Sequence, residues 1–321
     1  MQLLESNNVN HAMITGLNSL LANSIIEESR NGSVIVAPYP VVSILHQPSN
    51  RVLFNPTRDA NPFFHLFESL WMLAGRNDVG YVAKFVPRMR DFSDDGKTLN
   101  GAYGYRWRGA EGGDQIIEVI RQLKDDPKTR RSVISMWFRD DLFSTSLDKP
   151  CNTHIYFRIV KDRLDMTVCN RSNDIIWGLY GANAVHLSML QELIAFGVGI
   201  EVGVYRHLSN NFHMYPKNIN YRGIVADGVR DLYNPNLDNY VEPTSIGYGL
   251  SEGIKSVETF MNDCVLFCDE PSSSLFKSLF ILTIAQPMYK AWVTRKPEFI
   301  ESNNDWHTAG REWLARRNGG V

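Results

Sequence analysis

The sequence lacks the features that mark secreted, membrane-bound and nucleic-acid-binding proteins. It has only four cysteines among 321 residues, too few for a disulfide framework, and this favours a reducing, cytoplasmic location. Its apolar runs are shorter than the ~20 residues that span a bilayer, and we expect no secretory signal at its start. The formal charge of −2 gives no general affinity for nucleic acid or anionic membrane, so any anion site must be local.

Apolar and aromatic residues are plentiful, at 44% and 11% of the chain, and they suffice for a sizeable core. Apolar residues at helical spacing predict a first helix over residues 10–29, followed by a β-rich stretch over 34–54. Residues 86–113 have a loop-like composition, and 216–257 form an irregular, loop-rich stretch. Further helices are predicted at 63–73, 114–124, 184–196, 258–268, 274–291 and 305–317, and strands at 132–137, 153–160 and 164–169.

Cys151 follows Pro150 and precedes a predicted strand. Cysteine is a nucleophile only as the thiolate, so it needs a cation or hydrogen-bond donors that lower its ordinary pKa of ~8.5. Arg171 on the next predicted strand, or the Arg130-Arg131 pair, could supply that cation. The alternative is an ordinary core cysteine, but the polar residues that follow Cys151 in the same segment favour a reactive one.

These neighbouring polar residues suit a small, planar, anionic substrate. Arginines and Ser172 could bind a phosphate, because a guanidinium presents a fork of N–H donors. His213 and Tyr215 could bind a hydroxyl group, and Asn183 could pair with a ring that has both donor and acceptor edges.

Glu68 lies in the predicted helix 63–73, which is apolar on nearly all sides. An unpaired buried carboxylate is costly, so this residue needs a reason to be there. One interpretation is a structural salt bridge or cap. The other is a carboxyl group whose proton affinity is raised by burial and used in acid–base chemistry.

In this order, these residues resemble the thymidylate synthase family over roughly residues 20–220. That family has Pro-Cys, a strand pair, Arg-Ser-x-Asp, a glycine-containing loop to an Asn, a long helix and His-x-Tyr. The corresponding residues here are Pro150-Cys151, Arg171-Ser172-Asn173-Asp174, Gly178, Asn183 and His213-Met214-Tyr215. Earlier motifs also match, namely Glu68 in Glu-x-Leu-Trp, Tyr103-Gly104 before Arg106-Trp107, and Pro127-x-x-Arg130-Arg131 before a strand.

The resemblance implies an α/β (α+β) fold with a large mixed sheet flanked by helices, one sheet face being a homodimer interface. It implies one catalytic domain over residues 1–321, with a loop-rich insertion at 216–257 and a helical part at 258–321. Cys151 would add to C6 of a pyrimidine nucleoside monophosphate, and 5,10-methylenetetrahydrofolate would supply a carbon to C5. No metal is implied.

The resemblance also implies roles for individual residues. The catalytic set would be Cys151, Glu68, Tyr103 and Asn183. Substrate would be bound by Arg30, Arg171, Ser172, Asn170, Asn183, His213 and Tyr215, with Arg130 and Arg131 reaching in from the partner subunit. The folate would be held by Asp174, Gly178, Met89 and Phe92.

Several departures from the family pattern bear on the product. The family's Cys-His is Cys151-Asn152 here, and its Trp-x-x-Trp appears as Met89-Arg90-Asp91-Phe92. The loop from Gly178 carries one extra residue, so either Asn183 or Ala182 takes the base-reading position. Because a looser cofactor pocket admits water, we expect a hydroxymethyl product rather than a methyl product.

The predicted activity is therefore dCMP or dUMP hydroxymethylation, with dCMP slightly ahead. One alternative is a C5 methyltransferase, either a thymidylate synthase or a dCMP methyltransferase. The second alternative is a non-catalytic relative that only binds nucleotides.

Overall fold

The computed structural model describes residues 1–29, 31–110 and 112–318. Arg30, the expected N-terminal phosphate-binding residue, lies outside the described residues. The strands are β1 Gln2–Ser6, β2 Ile25–Ser29, β3 Gly32–Val36, β4 Val41–Leu45, β5 Val133–Ser135, β6 Asn152–Val160, β7 Arg163–Asn170, β8 Asn173–Asp174, β9 Glu201–Ser209 and β10 Phe212–Met214.

The α-helices are α1 Val9–Ala22, α2 Pro62–Leu73, α3 Val79–Val82, α4 Tyr103–Arg108, α5 Gln115–Asp125, α6 Arg139–Phe143, α7 Ala184–Val198, α8 Tyr221–Asp227, α9 Ile254–Asp269, α10 Gln286–Thr294 and α11 Asp305–Arg317. Short 3-10 turns occupy Pro87–Phe92, Pro216–Asn218 and Pro297–Phe299, and π-helical turns occupy Ile175–Asn183 and Ile281–Ala285. No helix in the described part of the chain is long and apolar enough to cross a bilayer.

A six-stranded mixed sheet in the order β1-β4-β9-β7-β6-β5 forms the centre of the fold. The β1–β4 and β7–β9 pairs are parallel, and the other pairs are antiparallel. A smaller sheet, β2-β3-β10-β8, lies beside it. This mixed sheet with flanking helices confirms the predicted fold class.

One face of the large sheet is covered by α7, which crosses over between the parallel strands β7 and β9. Leu164, Met166 and Val168 of β7 point to this side and are fully buried. Gln191 of α7 donates to the Leu164 carbonyl at 2.8 Å, which satisfies a backbone oxygen where the strand register shifts. The helix ends at Gly199, whose φ of 90° suits glycine.

The described residues leave the opposite face of the sheet partly exposed. Tyr156, Thr167, Arg206 and Ile44 are in register across four adjacent strands and therefore project to the same side. All four side chains are partly exposed, and Tyr156 is the most exposed of them at 45%. This row of side chains is available for contact with another molecule.

Helix α2 lies within the core, with all its residues except Phe64 buried. Asn61 caps it by accepting a hydrogen bond from the Phe64 N–H, and Pro62 occupies the first turn, where its missing donor costs nothing. Glu68 is therefore presented from a rigid, buried element.

The predicted helix over residues 10–29 is wrong in its second half. Helix α1 ends at Ala22, and residues 25–29 form β2, which is paired antiparallel with β3. All five residues of β2 are exposed. No apolar alternation therefore marks this strand in the sequence, and Glu27 and Glu28 are compatible with a helix.

Three loop or helix boundaries also differ from the sequence prediction. The supposed loop 86–113 contains α4, whose Gly104 is needed because a Cβ there would lie 2.0 Å from the Met72 carbonyl oxygen. The loop-rich stretch 216–257 contains α8. The helix predicted from 274 begins only at residue 279, because Asp263 of α9 holds the preceding turn through the N–H groups of Lys277 and Ser278.

Candidate active site

A cavity of about 600 Å³ opens where β6 begins, β7 ends and β10 runs alongside β8. Seven of the residues singled out in the sequence line it, namely Phe92, Cys151, Arg171, Ser172, Asp174, His213 and Tyr215. The strand pairing brings them together, since Asn152 is paired with Asn170 and His213 with Asp174. Other predicted residues lie outside this lining, namely Glu68, Met89, Tyr103, Arg130, Arg131, Asn170, Gly178 and Asn183.

Arg171 ties the segment before Cys151 to the end of β7. Its Nε donates to the Pro150 carbonyl at 2.9 Å and its Nη2 to the Lys149 carbonyl at 3.0 Å. The same Nη2 lies 3.8 Å from Cys151 Sγ. A cation beside a cysteine sulfur favours the thiolate, which is the nucleophilic form of the side chain.

Tyr103 supports the other side of Cys151. Its hydroxyl oxygen accepts a hydrogen bond from the Asn152 N–H at 3.3 Å. Burial, and then the charge of Cys151, raise the pKa of Tyr103 well above its ordinary value. The phenol therefore stays protonated at neutral pH and can still donate its own proton.

Three buried asparagines form a hydrogen-bonded series beside the cavity. The Ser172 N–H donates to Asn170 Oδ1 at 2.8 Å, and Asn170 Nδ2 donates to Asn152 Oδ1 at 2.8 Å. Asn152 Nδ2 then donates to Asn183 Oδ1 at 3.4 Å. Asn152 is fully buried, and sequence reasoning noted it only as a departure from the family's histidine.

The loop from Gly178, with its extra residue, lies in the π-helical segment Ile175–Asn183, which is kinked at Gly181, where φ is −101° and ψ is −110°. Asn183, not Ala182, carries the side chain that reaches Asn152. At Gly178 a Cβ would lie 3.3 Å from Asn173 Oδ1 and 3.4 Å from Asn183 Nδ2, so glycine keeps this position compact.

Asp174 begins this turn and faces the cavity. Its Oδ1 accepts from the Ile176 N–H at 2.8 Å and the Trp177 N–H at 3.2 Å. Burial raises the pKa of Asp174, although these two donors and the charges of His213 and Arg58 oppose that rise. Burial lowers the pKa of His213, against the opposing charge of Asp174.

Arg58 and Trp177 add a surface that sequence reasoning missed. The Arg58 guanidinium lies 4.4 Å from the centroid of the Trp177 ring and donates to the Ile176 carbonyl. Burial lowers the pKa of Arg58 to about 10. Trp177 itself is 50% exposed, which leaves a large aromatic surface open three residues from Asp174.

Glu68 meets an imidazole that the sequence did not suggest. Its Oε2 lies 3.0 Å from Nε2 of His186 in α7, and both residues are buried. Neither atom makes an aligned hydrogen bond with any residue that the structure describes. His186 follows Asn183 by three residues, so both project from one side of the chain as it enters α7.

The remaining predicted residues are dispersed. Arg130 and Arg131 are exposed on the surface and lie outside the cavity of their own chain. Met89 packs against the core, whereas Phe92, three residues later, contributes to the cavity wall.

Comparison with known proteins identifies the family. The sequence model described as thymidylate synthase matches residues 56–232. A deoxyuridylate hydroxymethyltransferase of Pseudomonas phage M6 is 44% identical, over 99% of this chain and 95% of its own length. A deoxyuridylate hydroxymethyltransferase of Bacillus phage SP01 is 35% identical, over 64% of this chain and 56% of its own. A thymidylate synthase of Symbiobacterium thermophilum is 33% identical, over 46% of this chain and 57% of its own. The chain therefore belongs to the thymidylate synthase family.

Proposed function

We propose that this protein is a folate-dependent one-carbon transferase that converts dUMP into 5-hydroxymethyl-dUMP. The observation that carries this proposal is the near full-length match to a deoxyuridylate hydroxymethyltransferase, in a chain whose Cys151 and Arg171 share one cavity. The sequence alone put dCMP slightly ahead of dUMP. The names of three relatives favour uracil as the base.

Cys151 is the proposed nucleophile. Its thiolate, stabilised by Arg171, adds to C6 of the pyrimidine and makes C5 a carbon nucleophile. Arg171 and Ser172 bind the phosphate, His213 and Tyr215 the sugar hydroxyl, and Asn183 the edge of the base. Glu68 and Tyr103 serve proton transfer around the ring.

The residues around Asp174 suit a folate. The half-buried carboxylate of Asp174 shares the cavity with Phe92 and lies three residues before the half-exposed Trp177. This combination of a hydrogen-bond acceptor and aromatic surface matches a flat, amine-bearing pterin. When bound, 5,10-methylenetetrahydrofolate supplies one carbon at the oxidation level of formaldehyde. We assign Gly178, which follows Trp177, and Met89, three residues before Phe92, to the same folate site.

We also propose a homodimer formed through the partly exposed sheet face that includes Tyr156 and Arg206. Arg130 and Arg131 are exposed and lie outside the lining of their own cavity, so each is available to add a phosphate contact in the partner's site. We place the enzyme in the cytoplasm, because Cys151 must remain reduced to act.

The second candidate is methylation of the same base. It is favoured by the similarity to a thymidylate synthase and by Trp177, whose exposed ring could exclude water from the reacting carbon. The two activities share the Cys151 chemistry and differ in whether water or hydride completes the product.

Product mass separates the candidates. Purified protein is incubated with 5,10-methylenetetrahydrofolate and dUMP, in ordinary and ¹⁸O-labelled water. Hydroxymethylation adds one CH₂O unit, carries the water label and releases tetrahydrofolate. Methylation adds one CH₂ unit without label and releases dihydrofolate, and this result would refute the proposal.

Two variants control the experiment. Cys151→Ser should abolish product, because serine lacks the thiolate. Cys169→Ser, on neighbouring β7 and also half-buried, should retain it. Equal loss in both variants would show a folding effect instead of a catalytic one.

A further inference from the structure

In the asparagine series beside the cavity, the order of hydrogen-bond donors and acceptors is set at one end by the Ser172 N–H. The Ser172 backbone N–H can only donate, so the atom of Asn170 that receives it, 2.8 Å away, must be the amide oxygen. The NH₂ group of Asn170 must then face Asn152, which accepts through Oδ1 at 2.8 Å. Asn152 in turn presents its own NH₂ group to Asn183 Oδ1, at 3.4 Å.

Burial makes this direction hard to reverse. Asn152 is 0% exposed, Asn170 is 2% exposed and Asn183 is 8% exposed. Turning over one amide alone would bring two NH₂ groups or two oxygens face to face, with no bulk water to satisfy them. The orientation of Asn183 is therefore tied to a backbone N–H through two intervening side chains.

The orientation of an amide decides which pyrimidine it can pair with. Uracil presents an N3–H donor and an O4 acceptor, whereas cytosine presents an N3 acceptor and an N4 amino donor. A carboxamide that complements one of these edges complements the other only after it exchanges its oxygen and nitrogen positions. A site with a freely rotating amide would accept both bases.

We propose that Asn152 is a positioning residue that makes the site select uracil over cytosine, by holding the Asn183 amide in one orientation. This inference rests on the proposed function, in which Asn183 reads the base. Asn152 acts only through Asn183 and makes no contact with the nucleotide itself.

The decisive variant is Asn152→Asp. An ionised carboxylate has two acceptors and no donor, so it still accepts from Asn170 but now requires an NH₂ group from Asn183. The Asn183 amide must turn over. The ratio of the dCMP Kd to the dUMP Kd should therefore fall by ~10-fold or more, measured by titration calorimetry without folate.

A second variant reaches the same outcome by another route. Asn170→Asp still accepts from the Ser172 N–H, and its other oxygen requires the NH₂ group of Asn152. Asn152 then turns its oxygen toward Asn183, which must turn as well. The same shift toward dCMP should follow, even if Asn152→Asp fails to fold. Asn152→Ala removes the link and should bring the two Kd values close together.

Asn173→Asp is the matched control. Asn173 follows Ser172 in the chain and is buried like Asn152. Its side-chain NH₂ group donates a hydrogen bond to the Ser209 hydroxyl, so Asn173 takes no part in the series. It should keep the ratio of the parent protein. Asn152→Asp and Asn170→Asp proteins that melt normally and keep that ratio would overturn the inference. If the parent protein neither binds dUMP nor hydroxymethylates it, the proposed function fails first.

Discussion

At the scale of single residues, Arg171 has two tasks that a different cation could not combine. Its planar fork spans two consecutive carbonyls, those of Lys149 and Pro150, while the same Nη2 approaches the sulfur of Cys151. The loop geometry and the charge beside the thiol thus depend on one side chain. Lysine carries the charge but has a single point donor.

We therefore expect Arg171→Lys to slow alkylation of Cys151 by iodoacetamide at neutral pH, by about tenfold, because less thiolate is present. Rates would be followed by mass spectrometry of the cysteine-containing peptides. Cys169 is the internal reference, since burial alone raises its pKa. An unchanged Cys151 rate in a folded protein would show that Arg171 does not support the thiolate.

The site residues that the sequence predicted differ from those it missed in how far along the chain their contacting side chains lie. Arg171, Ser172, Asp174, His213 and Tyr215 belong to short motifs, and strand pairing brings those motifs to one cavity. His186 and Arg58 gave no signal, because their partners, Glu68 and Trp177, lie far away in the sequence. Only the packing of α2 against α7 brings Glu68 to His186.

At the scale of elements, the sequence predicted the boundaries of a helix correctly where a capping residue and a buried face both mark it. Helix α11 spans Asp305–Arg317 as predicted, and Asn304 caps it by accepting from the His307 N–H. Strand β2 was not found, because a fully exposed strand has no apolar face to reveal its period. Its structure is imposed by pairing with β3, which is a tertiary effect that local sequence does not encode.

Asp305 joins α11 to the loop-rich stretch 216–257. It is fully buried and accepts hydrogen bonds from Thr244 Oγ1 at 2.6 Å and from the Tyr233 hydroxyl at 3.0 Å. Tyr233 also accepts from the Val52 N–H at 3.0 Å. Through this carboxyl group, residues 233–244, which lie between α8 and α9, are held against the core.

Burial raises the pKa of Asp305 above its ordinary value, so the folded protein binds this proton more tightly than the unfolded chain does. The free energy of unfolding should therefore fall as pH rises from ~3.9 through the folded pKa, by at most ~1.4 kcal/mol per pH unit. Asp305→Asn cannot titrate and should lack this component. Urea unfolding across that pH range would measure the difference between the two proteins.

The test is whether the difference in free energy of unfolding between the two proteins falls or rises with pH. The stability of the parent protein relative to Asp305→Asn should decrease with rising pH and then level off. A difference that increases with pH would mean that the hydrogen bonds from Thr244 and Tyr233 outweigh burial.

At the scale of the whole molecule, two features take no part in the cavity of their own chain. The row of side chains from Ile44 to Tyr156 is partly exposed on the sheet, and Arg130 and Arg131 lie outside the lining of their own cavity. The proposed homodimer accounts for both features, because a symmetric interface places the same arginines at two sites at once.

Mixing two inactive proteins tests this arrangement. Cys151→Ser lacks the nucleophile, and Arg130→Ala/Arg131→Ala lacks the donated arginines. After subunit exchange, each mixed dimer should contain one complete site, so activity should recover to about a quarter of the parent value. No recovery, with mixed dimers verified by mass, would show that both arginines act in their own chain or not at all.

The partly exposed sheet face also has a consequence for how activity is reported. If each site is completed only by a second chain, the fraction of working enzyme follows mass action. Specific activity should then be constant at high protein concentration and decline on dilution below the dimer Kd, with nucleotide slowing the decline because it bridges both chains. Turnover per chain would then depend on the protein concentration as well as on the structure of the chain.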